Sequence, residues 1–169
     1  MLTFGTLQGV IIGVGISLLL LIARASRPYI PVLGRKPEHE VYHHLSDYPD
    51  YETVPGLIVM RFEGDLYFAT ASALRERIRE LVIDADPPVK DIVIDMVAVS
   101  ITDIEGADMI RTVTEEMGRE GIQVHLAQVH KSVLDFLKAD GVGEVLGAEY
   151  VHEDVFTAVE LIKQNQKSE

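Results

Sequence analysis

The chain has 169 residues, no cysteine and a formal net charge of −12 at pH 7. The lack of cysteine excludes a disulfide framework, a thiolate metal site and a cysteine nucleophile. The excess of acidic over basic residues argues against nucleic-acid binding, because phosphates are repelled by an acidic surface.

The N-terminal segment is apolar. Residues 1–23 contain no charged residue and no histidine, whereas all 27 acidic residues follow Pro37. A helix rises about 1.5 Å per residue, so roughly 20 residues cross a hydrocarbon core of about 30 Å. This predicts one transmembrane helix over residues 1–24. The alternatives are a signal peptide, whose basic residues would precede the apolar run, and a buried helix of a soluble domain.

Basic residues follow the apolar run, and they predict its orientation. Arg24, Arg27, Arg35 and Lys36 lie on its C-terminal side. The positive-inside rule places that side in the cytoplasm. We therefore expect a helix in the cell's inner (plasma) membrane, followed by a cytoplasmic domain.

Small residues recur every fourth position in the apolar run, at Gly5, Gly9, Gly13 and Ser17. On a helix they form one face that allows close approach of another membrane helix. The alternative reading is that glycine is simply common in membrane helices. The first reading predicts packing against a membrane domain within the lipid bilayer.

The remaining sequence alternates between strand and helix patterns. Residues 25–40 are rich in proline and are predicted to be a linker, and residues 41–166 a single domain. Strand patterns cover 41–45, 56–62, 92–97, 122–126 and 150–151, and helix patterns cover 71–84, 107–117, 133–141 and 153–162. This order predicts an α/β fold with a mixed, partly parallel sheet covered by helices.

One motif resembles a zinc-protease signature. His39–His43 matches H-E-x-x-H, which needs both histidines one turn apart on a helix. The match directly follows Pro37 and has no helical periodicity around it. No other enzyme signature is present, so we predict a non-enzymatic protein with no metal, cofactor or catalytic residue.

The turn after the strand at 92–97 is more informative. Asp103 is placed to cap the following helix by accepting bonds from its free N–H groups. A helix N-terminus is also an anion site and a position where added negative charge acts as a switch. The alternative is an ordinary cap on an ordinary loop.

This pattern resembles the STAS domain, which bacterial anti-sigma factor antagonists share with the C-terminal tails of SulP-type anion transporters. In the antagonists this turn reads Asp-Ser-Ser-Gly, and a kinase phosphorylates the second serine. The matching positions here are Asp103, Ile104, Glu105 and Gly106. Both hydroxyls are missing, and Glu105 puts a fixed negative charge at the acceptor position. The resemblance marks these four residues as a regulatory or partner-binding site.

The N-terminal part of the chain resembles the segment that joins the last membrane helix of SulP transporters to their STAS domain. Many SulP sequences have Asn where this chain has Thr70. The segments that carry the resemblance are Arg27-Pro28, Leu33-Gly34-Arg35, Pro55-Gly56 and Arg61-Phe62-x-Gly64-x-Leu66-Tyr67-Phe68-Ala69.

The SulP resemblance implies a function and a set of partners. SulP proteins move sulfate or other anions, usually as dimers. It implies that this chain is the C-terminal end of such a transporter, with a role in regulation, trafficking or assembly and no transport by itself. Its partners would be the transporter membrane domain, the lipid bilayer and regulatory proteins, with dimerisation through the parent transporter.

Two other functions remain open. An anti-sigma factor antagonist would need a shifted phosphoacceptor, for which Ser100 or Thr102 is available. Nucleotide binding has been proposed for STAS domains, but Asp103 and Glu105 would repel a phosphate at this turn.

Overall fold

The computed structural model describes residues 3–25 and 28–166. A long helix, α1 (Thr3–Ala25), precedes an α/β domain. The strands are β1 (Leu33–Arg35), β2 (Tyr42–His44), β3 (Leu57–Arg61), β4 (Asp91–Asp95), β5 (Gln123–Ala127) and β6 (Val151–His152). The other helices are α2 (Phe68–Ile83), α3 (Ile104–Arg119), α4 (Lys131–Ala139), α5 (Val142–Leu146) and α6 (Val155–Gln166).

The main sheet has four parallel strands in the order β3-β4-β5-β6. In its register Val59 lies beside Val93, and Val93 lies beside His125. Strands β1 and β2 form a separate antiparallel ribbon. The ribbon meets the edge of β3 through an antiparallel bridge between Val32 and Met60. The predicted α/β class with a mixed, partly parallel sheet is confirmed.

The sheet is buried on both faces, as its apolar strands require. Ile92 and Ile94 are fully buried among residues of α2, α3, α4 and α5. Val93 points to the opposite face, where the core is completed by α6 and the β1–β2 ribbon. The alternation along β4 therefore supplies two separate cores, one on each side.

Three parts of the chain differ from the sequence prediction. The segment 25–40, predicted as a linker, contains β1, and Leu33 is only 2% exposed. Part of that segment is therefore integral to the domain. Helix α2 begins at Phe68 rather than at residue 71. The short helix α5 was not predicted.

Helix α1 contributes no residue to either apolar core of the domain. Residues 5–23 are all exposed, and the apolar window Gly5–Ala23 is 0% buried. Among the described residues it is the one helix long and apolar enough to cross a membrane. This exposure excludes the alternative of a helix buried in the core of this domain.

The His39–His43 segment is not helical. It runs from a turn into β2, and the His43 ring packs edge-on against Tyr48 and Tyr51. The two histidines of the motif therefore do not lie one helical turn apart, as a zinc protease requires.

A buried ion pair lies at the carboxyl end of the sheet. The Asp95 side chain is 0% exposed, and its Oδ2 atom accepts from Arg61 Nε at 2.7 Å. Its Oδ1 atom accepts from the Val97 backbone N–H at 3.0 Å. Removing Arg61 would leave a buried carboxylate with no counter-charge.

We predict that Arg61→Ala lowers the free energy of unfolding by about 3 kcal/mol, as for one-sided removal of a buried pair. Urea unfolding of the whole chain in detergent measures the change. Arg111→Ala is the control. Arg111 pairs with Asp108 on the surface of α3, so we expect little change in the free energy of unfolding. Equal effects of the two substitutions would contradict a stabilising role for the Arg61–Asp95 ion pair.

A candidate regulatory site at the carboxyl end of the sheet

Two strand-to-helix loops meet at one edge of the sheet. Residues 62–67 join β3 to α2, and residues 96–103 join β4 to α3. Because the carboxyl ends of adjacent parallel strands lie at the same edge, the two loops become neighbours. They are joined by a hydrogen bond from Leu66 N–H to the Ile101 carbonyl at 3.1 Å, and Leu66 pairs with Thr102 in a parallel bridge.

Asp103 performs the predicted capping function and also bridges the two helices. Its Oδ1 atom accepts from the Gly106 N–H at 2.8 Å, which caps α3. Its Oδ2 atom accepts from the Phe68 N–H, the first residue of α2, at 3.2 Å. One carboxylate therefore satisfies free N–H groups at the start of both helices.

Asp65 makes a second link between the loops, which no local sequence pattern indicates. Its Oδ1 atom accepts from the backbone N–H groups of Ser100 at 3.0 Å and Ile101 at 2.9 Å. Thr70 supports this arrangement: its hydroxyl accepts from Tyr67 N–H at 3.1 Å and donates to the Asp65 carbonyl at 2.8 Å. The sequence signal for Asp65 was only a Gly-Asp turn.

Gly106 allows the two loops to approach each other. A Cβ atom at this position would lie 2.3 Å from the Leu66 carbonyl oxygen and 2.6 Å from Thr102 Oγ1. Only glycine leaves room for these contacts without a shift of the backbone. Of the four residues predicted as a site, Asp103 and Gly106 thus hold the loops together.

The other two predicted residues face outward. Ile104 is 66% exposed, and Glu105 is also exposed. Two further apolar side chains at this edge are exposed, Ile101 at 63% and Phe68 at 72%. We name Phe68, Ile101 and Ile104 the edge patch. Exposed apolar side chains grouped on a rigid surface are typical of an interaction site.

The site has little capacity for an additional anion. Asp103 already occupies the Gly106 N–H, and Asp65 already occupies two N–H groups of the other loop. Glu105 adds a carboxylate in the first turn of α3. A phosphate here would displace these acceptors and be repelled by the remaining carboxylates.

The two hydroxyls near the turn differ in accessibility. Ser100 is exposed, but its backbone N–H is held by Asp65. The Thr102 side chain is half-buried against Gly106, and its hydroxyl donates to the Asp103 carbonyl at 3.4 Å. Neither hydroxyl occupies the α3 first-turn position held by Glu105.

A family model, described as "STAS domain", matches residues 48–160. This chain belongs to the STAS domain family. The match covers β3 through the first half of α6 and therefore includes both loops of the site.

This STAS domain and its preceding helix match sulfate transporters over the C-terminal region of those proteins. A probable sulfate transporter 4.2 of Arabidopsis thaliana is 32% identical over 169 residues, covering 95% of this chain and 25% of the relative. A probable sulfate transporter of Mycobacterium tuberculosis is 32% identical over 167 residues, covering 96% and 29%. The chain thus spans about a quarter of the length of these relatives, and the relatives are transporters rather than enzymes.

Solved structures share the fold. The murine Slc26a9 anion transporter in the inward-facing state superposes with a TM-score of 0.79 and 21% identity, covering 93% of this chain and 26% of that one. The STAS domain of a SulP transporter from Vibrio cholerae gives a TM-score of 0.60 and 18% identity, covering 74% and 94%. The first of these likenesses extends over nearly the whole chain described here.

We predict that Gly106→Ala destabilises the domain by about 2 kcal/mol, because the new methyl group must push away a backbone carbonyl. Gly118→Ala is the matched control on the same helix, since a Cβ there meets nothing within 4 Å. It should stabilise the domain by about 0.5–1 kcal/mol through helix propensity. Thermal or urea unfolding in detergent measures both, and a neutral Gly106→Ala would show that the loops do not need this contact.

Proposed function

We propose that this chain is the cytoplasmic STAS module of a SulP-type transporter of sulfate or a related anion, together with its last membrane helix. The observation that carries the proposal is the order of an exposed apolar helix, a short connection and a STAS domain. The module acts in regulation, trafficking or assembly of the transporter. It moves no anion by itself, because one helix cannot enclose a path across a membrane.

The dimensions and flanking charges of α1 support a membrane span. The 19 residues Gly5–Ala23 extend about 28 Å as a helix, close to the hydrocarbon thickness of about 30 Å. The basic residues that follow orient the helix with the STAS domain in the cytoplasm of the cell, at the inner (plasma) membrane.

The small-residue face of α1 supports packing within a membrane domain. A Cβ atom at Gly5, Gly9 or Gly13 would meet nothing within 4 Å in the described structure. With Ser17 one turn further on, this face remains open to a neighbouring helix of the transporter.

Chain length limits how far the regulatory site can lie from the membrane. Ala25 and Pro28 are three residues apart, so their Cα atoms are separated by about 11 Å at most. Pro28 lies against Gly64, and Tyr29 bridges to Glu63. The loop that holds the edge patch in place therefore begins close to the end of α1, and we infer that the patch faces the transporter membrane domain.

The chemistry of the site favours a constitutive contact over partner switching. Glu105 occupies the position where the antagonists carry a switchable hydroxyl, so its charge is fixed. A phosphate on Ser100 or a bound nucleotide would meet Asp65, Asp103 and Glu105 at close range. We therefore propose that the edge patch packs against a regulatory or membrane-domain partner and that Glu105 makes a polar contact with it.

We predict that the full chain stays in the membrane pellet after washes with high salt and with alkaline carbonate, because α1 is held by burial in lipid rather than by charge. A variant lacking residues 1–25 is the control and should appear in the soluble fraction. Mass analysis of the pelleted chain must show that the first 25 residues are retained. Release by salt, or loss of the segment by cleavage, would contradict the tether.

A further inference from the structure

Three ionisable side chains form a hydrogen-bonded row inside the α6 face of the sheet, away from the regulatory site. Asp91, His125 and His152 come from β4, β5 and β6. His125 Nε2 lies 3.3 Å from Asp91 Oδ1, and His125 Nδ1 lies 3.0 Å from His152 Nε2. The two histidines are 6% and 9% exposed. We name this row the proton relay.

The hydrogen bonds fix where protons sit when both imidazoles are neutral. A carboxylate only accepts, so His125 Nε2 carries a proton and donates it to Asp91. His125 Nδ1 is then a lone pair, and His152 Nε2 must donate to it. The outer nitrogen of His152, Nδ1, is left as the one unprotonated position that can accept a proton without breaking a bond.

When a proton binds His152 Nδ1, the positive charge can move from His152 to His125. The shared proton shifts from His152 Nε2 to His125 Nδ1, so His152 becomes neutral and His125 becomes the imidazolium beside Asp91. No hydrogen bond is lost in this shift. A second added proton would place two N–H groups against each other across 3.0 Å, so the relay holds one proton and no more.

We propose that Asp91, His125 and His152 form a buried binding site for a single proton, and that its occupancy strengthens the attachment of the end of α6 to the sheet. The link to α6 is direct, because Gln166 Nε2 donates to the second oxygen of Asp91 at 3.0 Å. With the proton bound, the Asp91 carboxylate, whose side chain is 16% exposed, gains a counter-charge. Without it, the same carboxylate is held by neutral donors alone.

The groups around the proton relay favour the binding of one proton rather than two. Burial lowers the pKa of His152, a charge on His125 lowers it further, and the Asp154 carboxylate opposes both effects. The Tyr150 ring packs edge-on against His125 at 5.2 Å. The remaining groups line the cleft beside the relay, namely the Lys90 ammonium, the amides of Gln123, Asn165 and Gln166, and the apolar Ile162.

The first test is a histidine NMR titration of the whole chain in detergent between about pH 8 and pH 5. We expect the imidazole signals of His125 and His152 to move together with one midpoint, and the pair to take up one proton. In His152→Gln, the coupled movement of the two signals should be lost. His130→Gln is the control, because the His130 side chain is exposed and bonds to the Val97 carbonyl, away from the relay, and it should leave the pair unchanged.

The second test measures amide hydrogen exchange in the last turn of α6, corrected for intrinsic rates. Protection should fall as the proton is lost, because Asp91, which accepts from Gln166, then loses the imidazolium counter-charge that holds it in place. Gln166→Ala should abolish this pH dependence while the pair still takes up one proton, and because the coupling is reciprocal, the proton affinity of the pair should fall by the same factor. Independent titration of the two histidines with uptake of two protons would overturn the site, and unchanged protection in the parent chain would overturn its link to α6.

Discussion

The contact between Gly106 and the Leu66 carbonyl is the constraint on which the carboxyl edge of this domain depends. Because residue 106 has no Cβ atom, the start of α3 can lie directly against the loop that precedes α2. That proximity lets Asp103 reach Phe68 and lets Asp65 reach Ser100 and Ile101. The result is a surface whose backbone is fixed at several points while its apolar side chains remain outside.

This arrangement explains how a STAS domain can act without chemistry of its own. The carboxylates at the edge are used to bind backbone N–H groups, so they hold the loops in place instead of recruiting a ligand. The edge patch is left as a rigid apolar surface, and rigidity lowers the entropic cost of docking. In our proposal the short connection to α1 keeps that surface near the membrane domain, so a weak contact is enough to hold it there.

The sequence predicted those features that depend on local pattern. The apolar run of β4, the helical period of α3 and the capping position of Asp103 were all visible in short windows and are confirmed by the structure. Strand β1 was missed because three residues in a proline-rich segment carry no periodic signal, and its existence depends on pairing with β2. Helix α5 was missed for a similar reason, since five residues show little more than one turn.

The contacts between residues distant in sequence could not be predicted for either site. Asp65 lies 38 residues before Asp103, and nothing local indicates that its side chain holds the other loop. The proton relay joins residues 91, 125 and 152, and the sequence showed only isolated histidines without a partner. Only the parallel register of β4, β5 and β6 brings these side chains together.

The most direct test of the central claim is the distance of the edge patch from the bilayer. The chain has no cysteine, so a single Ile104→Cys or Ile83→Cys variant can be labelled cleanly with a fluorophore. Residue 104 lies at the carboxyl edge, and residue 83, which is 80% exposed, lies at the far end of α2. With the chain in vesicles, energy transfer to an acceptor in the lipid headgroups should be stronger from position 104 than from position 83. Equal transfer, or stronger transfer from position 83, would contradict a membrane-facing regulatory site.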